Sequence, residues 1–313
     1  MRQDLLVLDR KHTRLEAASG RLTVRIDEQR PVSIALAPLE RIIVATPVTM
    51  GSQLLNHLTT HDVAVVFLPG HYKHSACWVL PFTHGDHQRR LRQYQLCSQP
   101  GEQLRIARLL VRHKLLGQKR NLIRWQWHFP ASRRDLQLGL QRIGNSLQQI
   151  PGSPNHDSLM GLEGTAAQAY FQGIAAMLAP SYGFNGRNRR PPKDPVNALL
   201  SLSYTLAQQE AESALVAYGL DAGLGFLHAP AYGRASLGCD LVELVRPTLD
   251  AWVINLFTQR RLTVEHFQYQ GEACRLGKAG REHYFMAWAS QRHRIKKRFH
   301  RFVRAGLKEI SHV

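Results

Sequence analysis

The chain changes its hydrophobic pattern near residue 86. Before that point apolar residues come in short β-branched or alternating runs: LLVL at 5–8, RLTVRI at 21–26, VSIAL at 32–36, RIIVAT at 41–46, DVAVVFL at 62–68 and ACWVL at 76–80. Side chains alternate faces along a strand, so these runs predict strands. Ala18-Ser19-Gly20 and Pro69-Gly70 supply turn chemistry between them. One helical segment, about 51–60, interrupts the series. From 86 onward the period lengthens. Leu104, Ala107 and Val111 recur at the spacing of one helical face. Asp194-Pro195 reads as the N-cap and first residue of a helix beginning VNALLSLSYTLA. Ile295, Phe299, Phe302 and Val303 carry an apolar helical stripe through the C-terminal segment. The pattern predicts an α+β protein, with an N-terminal β-rich domain over 1–85 and a larger all-α domain over 86–313.

Charge adds a partner to this picture. Lys and Arg total 41 against 23 acids in 313 residues, a net charge of +18. Such an excess favours polyanions, nucleic acid before anionic membrane. The basic residues cluster, in GFNGRNRRPPKDP (183–195) and QRHRIKKRFHRFVRAGLKE (291–309). Arg105, Arg108 and Arg112 form a further helical stripe, open to either a solvated surface or phosphate contact. No apolar run approaches the ~20 residues that cross a membrane, and MRQDLLVLDRK lacks the apolar core of a signal peptide. Cys77, Cys97, Cys239 and Cys274 are scattered, without a C-x-x-C. The expected location is the reducing cytoplasm.

Candidate chemistry concentrates in HAPAYGRASLGCDLVELVRP (228–247). Asp240 and Glu243 are three residues apart, so on a helix they share a face. His228 lies just upstream in a segment broken by Pro230 and Gly233. Two carboxylates beside an imidazole suit Mg²⁺ or Mn²⁺ rather than structural zinc, and Arg234 and Arg246 suit phosphate. Ser236 is expected to cap the helix that carries the acids. LMGLEGTAAQAYF (159–171) sets Glu163 among small residues that allow close helix packing. A carboxylate pressed inward there needs a partner or a metal. A competing zinc set, His71, His74 and Cys77 with His84 and His87 behind, falls among predicted strands, where i and i+3 point to opposite faces. No P-loop and no G-x-S-x-G pattern is present.

Three segments resemble the CRISPR-associated endonuclease–integrase family that inserts new spacers. LEGTAAQAYF is similar to its E-G-x-A-A-x-x-Y-F motif, and RPPKDPVNALLSLSYTL to R-x-P-x-D-P-x-N-x-L-L. GFLHAPAYGRASLGCDLVELVRP is similar to its G-x-L-H, R-x-S-L, D-L and E-x-x-R-P series. The order of the motifs, and strands followed by helices, also match. The resemblance implies that Glu163, His228 and Glu243 bind a catalytic Mg²⁺ or Mn²⁺ and that Asp240 assists beside them. It implies a homodimer joined through the β domains, a complex with the second CRISPR-associated adaptation protein, and double-stranded and branched DNA as partners. The implied reaction is transesterification, a 3′-hydroxyl attacking a repeat phosphodiester. That reaction consumes no nucleotide, in keeping with the missing P-loop. Arg190, Arg234, Arg246, Arg292 and Lys296 are the candidate DNA contacts. The alternative is a non-catalytic basic nucleic-acid binder whose acids are structural pairs. A peripheral membrane protein has no Trp-rich amphipathic helix to support it.

Overall fold

Thr13 and Leu15 are buried while Arg14 and Glu16 between them are exposed, the alternation that makes one face of a sheet a core and the other a surface. The computed structural model describes residues 5–27, 29–61, 63–68, 77–79, 87–188 and 191–311. They divide into two compact units, Met1–His84 and Gly85–Val313. The first runs β1 (Leu5–Leu8), β2 (Thr13–Ala18), β3 (Arg21–Ile26), β4 (Val32–Ala35), β5 (Arg41–Val44), β6 (Val48–Met50), α1 (Ser52–Thr60), β7 (Ala64–Phe67) and β8 (Cys77–Val79). One sheet has the order β1-β5-β7-β8, parallel until β8 joins antiparallel. The other has the order β4-β3-β2-β6. Every residue of β5 is buried, as expected of a central parallel strand. Leu15, Leu22, Ile42, Leu58 and Val65 belong to the shared core.

Two of these strands, β2 and β6, are absent from the strand runs read in the sequence. TRLEAA is rich in residues that strands disfavour. It is held extended by its neighbours, antiparallel to β3 along its length and parallel to β6.

The second unit is built from α2 (His87–Cys97), α3 (Pro100–His128), α4 (Arg133–Gln149), α5 (His156–Met177), α6 (Pro195–Ala217), α7 (Ser236–Thr258) and α8 (Lys278–Ser311). An antiparallel hairpin of β9 (Phe267–Gln270) and β10 (Ala273–Leu276) separates α7 from α8, so this unit is not all-helical. The α6 N-terminus forms as expected, with the Asp194 side chain accepting from the Asn197 amide at 2.8 Å and Pro195 in the first turn. Helix α3 packs on α4, α5 and α7, and α6 on α7 and α8. The α3–α7 crossing is close because Gly117 faces Pro247. A Cβ at Gly117 would stand 2.8 Å from the proline Cγ. In α8, Ile295, Phe299 and Val303 are buried, so this basic helix docks by its apolar stripe. Among the described residues no helix is long and apolar enough to cross a membrane.

Candidate active site

Helices α3, α5 and α7 each contribute a charged side chain to one point in the second unit. Lys114 lies on the buried face of α3, with Ala107, Val111 and Leu115. Its ammonium pairs with Glu163 of α5 and, at 2.5 Å, with Glu243 of α7. The side chains of Lys114, Glu163 and Glu243 are 5%, 15% and 4% exposed. Two ionised carboxylates so far from water repel each other unless a cation lies between them. Arg246, one helical turn on, pairs with the other oxygen of Glu243 at 2.5 Å. Burial pushes the Glu243 carboxyl up, but Arg246 and Lys114 outweigh it and hold the group at about 2. The Arg246 guanidinium also lies 4.6 Å from the Tyr204 ring centroid, a cation–π contact that holds its plane.

The second part of the site is a loop gathered around one acid. Asp240 is fully buried. It accepts from the backbone amides of Phe226, Leu227 and His228 at 2.6, 2.9 and 2.9 Å. It also accepts from His228 Nδ1 at 2.7 Å. A carboxylate that only accepts requires a proton on Nδ1, so in the neutral ring Nε2 is the nitrogen with the lone pair. Gly225 is where the loop passes closest to α7. A Cβ there would lie 2.7 Å from an Asp240 oxygen and 2.8 Å from the Ser236 carbonyl carbon. The His228 side chain is 24% exposed, so the imidazole stays within reach of solvent.

The donor set suits a divalent cation. Glu163 and Glu243 already share one positive charge, the Lys114 ammonium, which stands in for an ion at that point. His228 is oriented by an acid behind it, as metal-ligating histidines commonly are. As placed, no three His, Cys, Asp or Glu side chains among the described residues are close enough together to hold an ion. Glu163 and Glu243 therefore come together on Lys114, while His228 is joined to Asp240.

Other expected contacts fall differently. Arg292 is 4% exposed and donates to the buried Glu210 at 2.7 Å. It is an interior ion pair between α8 and α6, and the expectation that it meets DNA is withdrawn. Ser236 does not cap α7. Ala235 holds that position, and the Ser236 hydroxyl donates to the Ala229 carbonyl at 3.0 Å. Arg234 is exposed and donates to the same carbonyl. Lys296 is half-buried. Arg105 pairs with Glu102, and Arg108 donates to Ser153, so two members of that stripe serve the fold. Arg190, His71, His74 and His84 lie outside the described residues, and Cys77 is an exposed free cysteine.

Behind the site, Tyr204 donates to Asp250, which is 1% exposed. Burial pushes the Asp250 carboxyl up to about 6, against the Tyr204 hydrogen bond and the Arg246 charge. An aspartate in the unfolded chain releases its proton near 4. Between those values the folded chain holds a proton that the unfolded chain has lost. Folding is therefore favoured at the acid end, and the advantage disappears as pH rises through 6. Asp250→Asn, which still accepts from Tyr204, should remove this dependence. Relative to the variant, the native chain is expected to lose about 2–3 kcal/mol of stability between pH 4 and pH 7.5. Urea midpoints at both pH values measure it, and parallel pH profiles for the two proteins would refute it.

Comparison with known proteins shows the family of the chain. Residues 6–290 match the family described as CRISPR associated protein Cas1. The CRISPR-associated endonuclease Cas1 1 of Thermodesulfovibrio yellowstonii is 32% identical over 294 residues, covering 92% of each chain. The structure of TM1797, a Cas1 protein from Thermotoga maritima, superposes with a TM-score of 0.86 at 19% identity, covering 98% of this chain and 97% of that one. A casposase bound to integration product superposes at 0.76 with 22% identity, over 92% of this chain and 82% of that one. Lys114, Glu163, His228, Asp240, Glu243 and Arg246 all lie inside the matched span, which runs through both units, and the chain belongs to the Cas1 family.

Proposed function

We propose that this chain is a divalent-metal-dependent DNA endonuclease and integrase that inserts spacer DNA into a CRISPR array. The observation that carries the reading is the convergence of Glu163 and Glu243 on a single positive charge, inside a chain of net charge +18. Glu163, Glu243 and His228 Nε2 would hold Mg²⁺ or Mn²⁺, which when bound supplies Lewis-acid polarisation of a phosphodiester and a more acidic attacking hydroxyl. Asp240 acts through His228: it fixes the tautomer that presents Nε2. Arg246 and Arg234 offer guanidinium groups to the flanking phosphates. In the reaction the 3′-oxygen of the incoming strand forms a bond to phosphorus as the bond to the repeat strand's 3′-oxygen breaks. The number of phosphodiesters is unchanged, so no nucleotide is consumed. The relative's endonuclease name and the casposase's integration product support this reading. Dimerisation through the β-rich unit and association with the second adaptation protein follow from the family resemblance.

Glu163→Ala and His228→Ala are expected to reduce Mn²⁺-dependent transfer of a 3′-hydroxyl DNA end into a branched or supercoiled target to background. DNA affinity should stay within about threefold, because it resides in phosphate contacts. Undiminished joined product from purified Glu163→Ala protein would overturn the assigned metal site, and no joined product from the native chain with Mg²⁺ or Mn²⁺ would leave the reading of a non-catalytic binder.

A further inference from the structure

Tyr204 of α6 is clasped by two residues of α7. Its hydroxyl donates to Asp250, and the Arg246 guanidinium lies over its ring, 4.6 Å from the centroid. Arg246 and Asp250 are four residues apart, so on a helix they stand one above the other. The ring therefore meets a cation on its face and a carboxylate at its tip. A second guanidinium, that of Arg187, lies 5.4 Å from the same centroid. It is fixed in turn by Asn197 Oδ1 at 2.6 Å and Ser201 Oγ at 3.0 Å. The Tyr170 hydroxyl of α5, which accepts from Asn121 at 2.9 Å, also faces Asp250.

Packing alone does not require these groups. Tyr204 is 8% exposed and Asp250 1%, and apolar side chains of similar volume would fill the space without taking a charge out of water. Their effect is seen at Arg246. One hold on that guanidinium is the Glu243 carboxylate at 2.5 Å. The Arg246 Nε is buried and has no hydrogen-bond acceptor among the described residues. The Tyr204 ring is the second hold. The two holds differ in one respect. Glu243 is also a candidate metal ligand, and a carboxylate that shares its charge with a divalent ion attracts a guanidinium less. The ring has no such second duty, and it cannot turn away while Asp250 keeps its hydroxyl.

We propose that Tyr204, tied by Asp250, is a positioning residue for strand transfer, which keeps Arg246 aimed at the phosphate when Glu243 turns to a metal ion. The proposal rests on the reading of Glu243 as a metal ligand. A guanidinium matches phosphate oxygens through parallel donors in one plane. An arginine loosened from Glu243 and left unstacked would present those donors in many orientations. Stacking on the tyrosine face fixes the plane and leaves the edge of the fork free to donate. The Arg246 side chain is 20% exposed, so an incoming phosphate can reach that edge.

The test is the Arg246 Nε–Hε signal in two-dimensional NMR of protein carrying nitrogen-15 arginine, identified by its loss in Arg246→Lys. In the native chain the signal should stay sharp both in EDTA and with Mg²⁺. In Tyr204→Leu it should be sharp in EDTA, where Glu243 still holds the guanidinium, and broaden or move to the position of free arginine with Mg²⁺. Single-turnover strand transfer by Tyr204→Leu should fall about tenfold or more, while DNA affinity stays within about threefold. Tyr204→Phe keeps the volume and only unties the ring from Asp250, so it should fold even where the leucine variant does not. It should show the same metal-dependent broadening in part and lose about threefold in rate. Paramagnetic Mn²⁺ separates the two readings, because an ion on Glu243 bleaches the Arg246 signal of the native chain whatever Tyr204 does. A native signal untouched by Mn²⁺ would sink the metal-ligand reading. Where Mn²⁺ bleaches it, an Arg246 signal that stays sharp with Mg²⁺ in folded Tyr204→Leu would overturn the proposal alone. So would Tyr204→Phe protein that matches the native chain in both signal and rate.

Discussion

Lys114→Met is expected to destabilise the metal-free protein by about 3–5 kcal/mol, more than any substitution confined to the surface. The methionine keeps most of the aliphatic stem, so little packing is lost. What disappears is the charge between Glu163 and Glu243, both mostly buried. Arg246 remains on Glu243, but Glu163 keeps no cation of its own among the described ion pairs. Removing one member of a buried charged set leaves the others uncompensated, which costs far more than the intact set contributes. Mn²⁺ should reverse much of the loss. An ion that binds only the folded state stabilises it by RT ln(1 + [L]/Kd), about 2.7 kcal/mol at a hundredfold excess over Kd. The gain should be larger in Lys114→Met than in the native chain, where the ion must first displace the ammonium. Melting temperatures with EDTA and with Mn²⁺ measure both effects. Equal metal-induced shifts in the two proteins would show that the ammonium and the metal do not compete for one position.

Asp240→Ala should cost a similar amount, about 3–5 kcal/mol, for a different reason. The substitution strands three backbone amides, those of Phe226, Leu227 and His228, and releases the imidazole. Each buried donor left without an acceptor costs about 1–3 kcal/mol. Asp240→Asn keeps the shape but turns one acceptor into a donor facing the amides, so it should recover only part of the loss. Amide hydrogen exchange at 226–228 is the specific readout, since those bonds open first if Asp240 gathers the loop. Strand transfer should fall with His228→Ala. Protected amides in folded Asp240→Ala protein would mean that the loop is held by something else.

The division into strands and helices was legible because each is a period in the sequence, and β5, β7, α6 and α8 fall where their apolar spacing puts them. β2 was not, because TRLEAA has little strand preference and its neighbours impose the extended shape, and β6, β9 and β10 were not, because runs of three or four residues are too short for a period to show. At the site, Glu163, His228, Asp240 and Glu243 stood out by residue type and motif. Lys114 did not, although it left a signal. It is a lone cation within the apolar stripe of Ala107, Val111 and Leu115, a place where a charge persists only with buried partners. Arg292 misled for the opposite reason. It sits in a run of basic residues, yet α8 turns it inward to Glu210 while Arg294 and Arg298 face out. Local sequence carries charge, but only the packed helix decides which side of it meets water.

The charged centre joins positions 114, 163, 243 and 246, and this spread has a consequence for the protein as it is made. At roughly 5–20 residues per second, Arg246 is polymerised about ten seconds after Lys114. During that interval a growing chain already carries Lys114 and the whole β-rich unit. It has no second carboxylate to pair with Glu163. The charged centre can therefore close only after about four fifths of the chain has been made, and a copy that stops short of Glu243 leaves Lys114 and Glu163 without their third member.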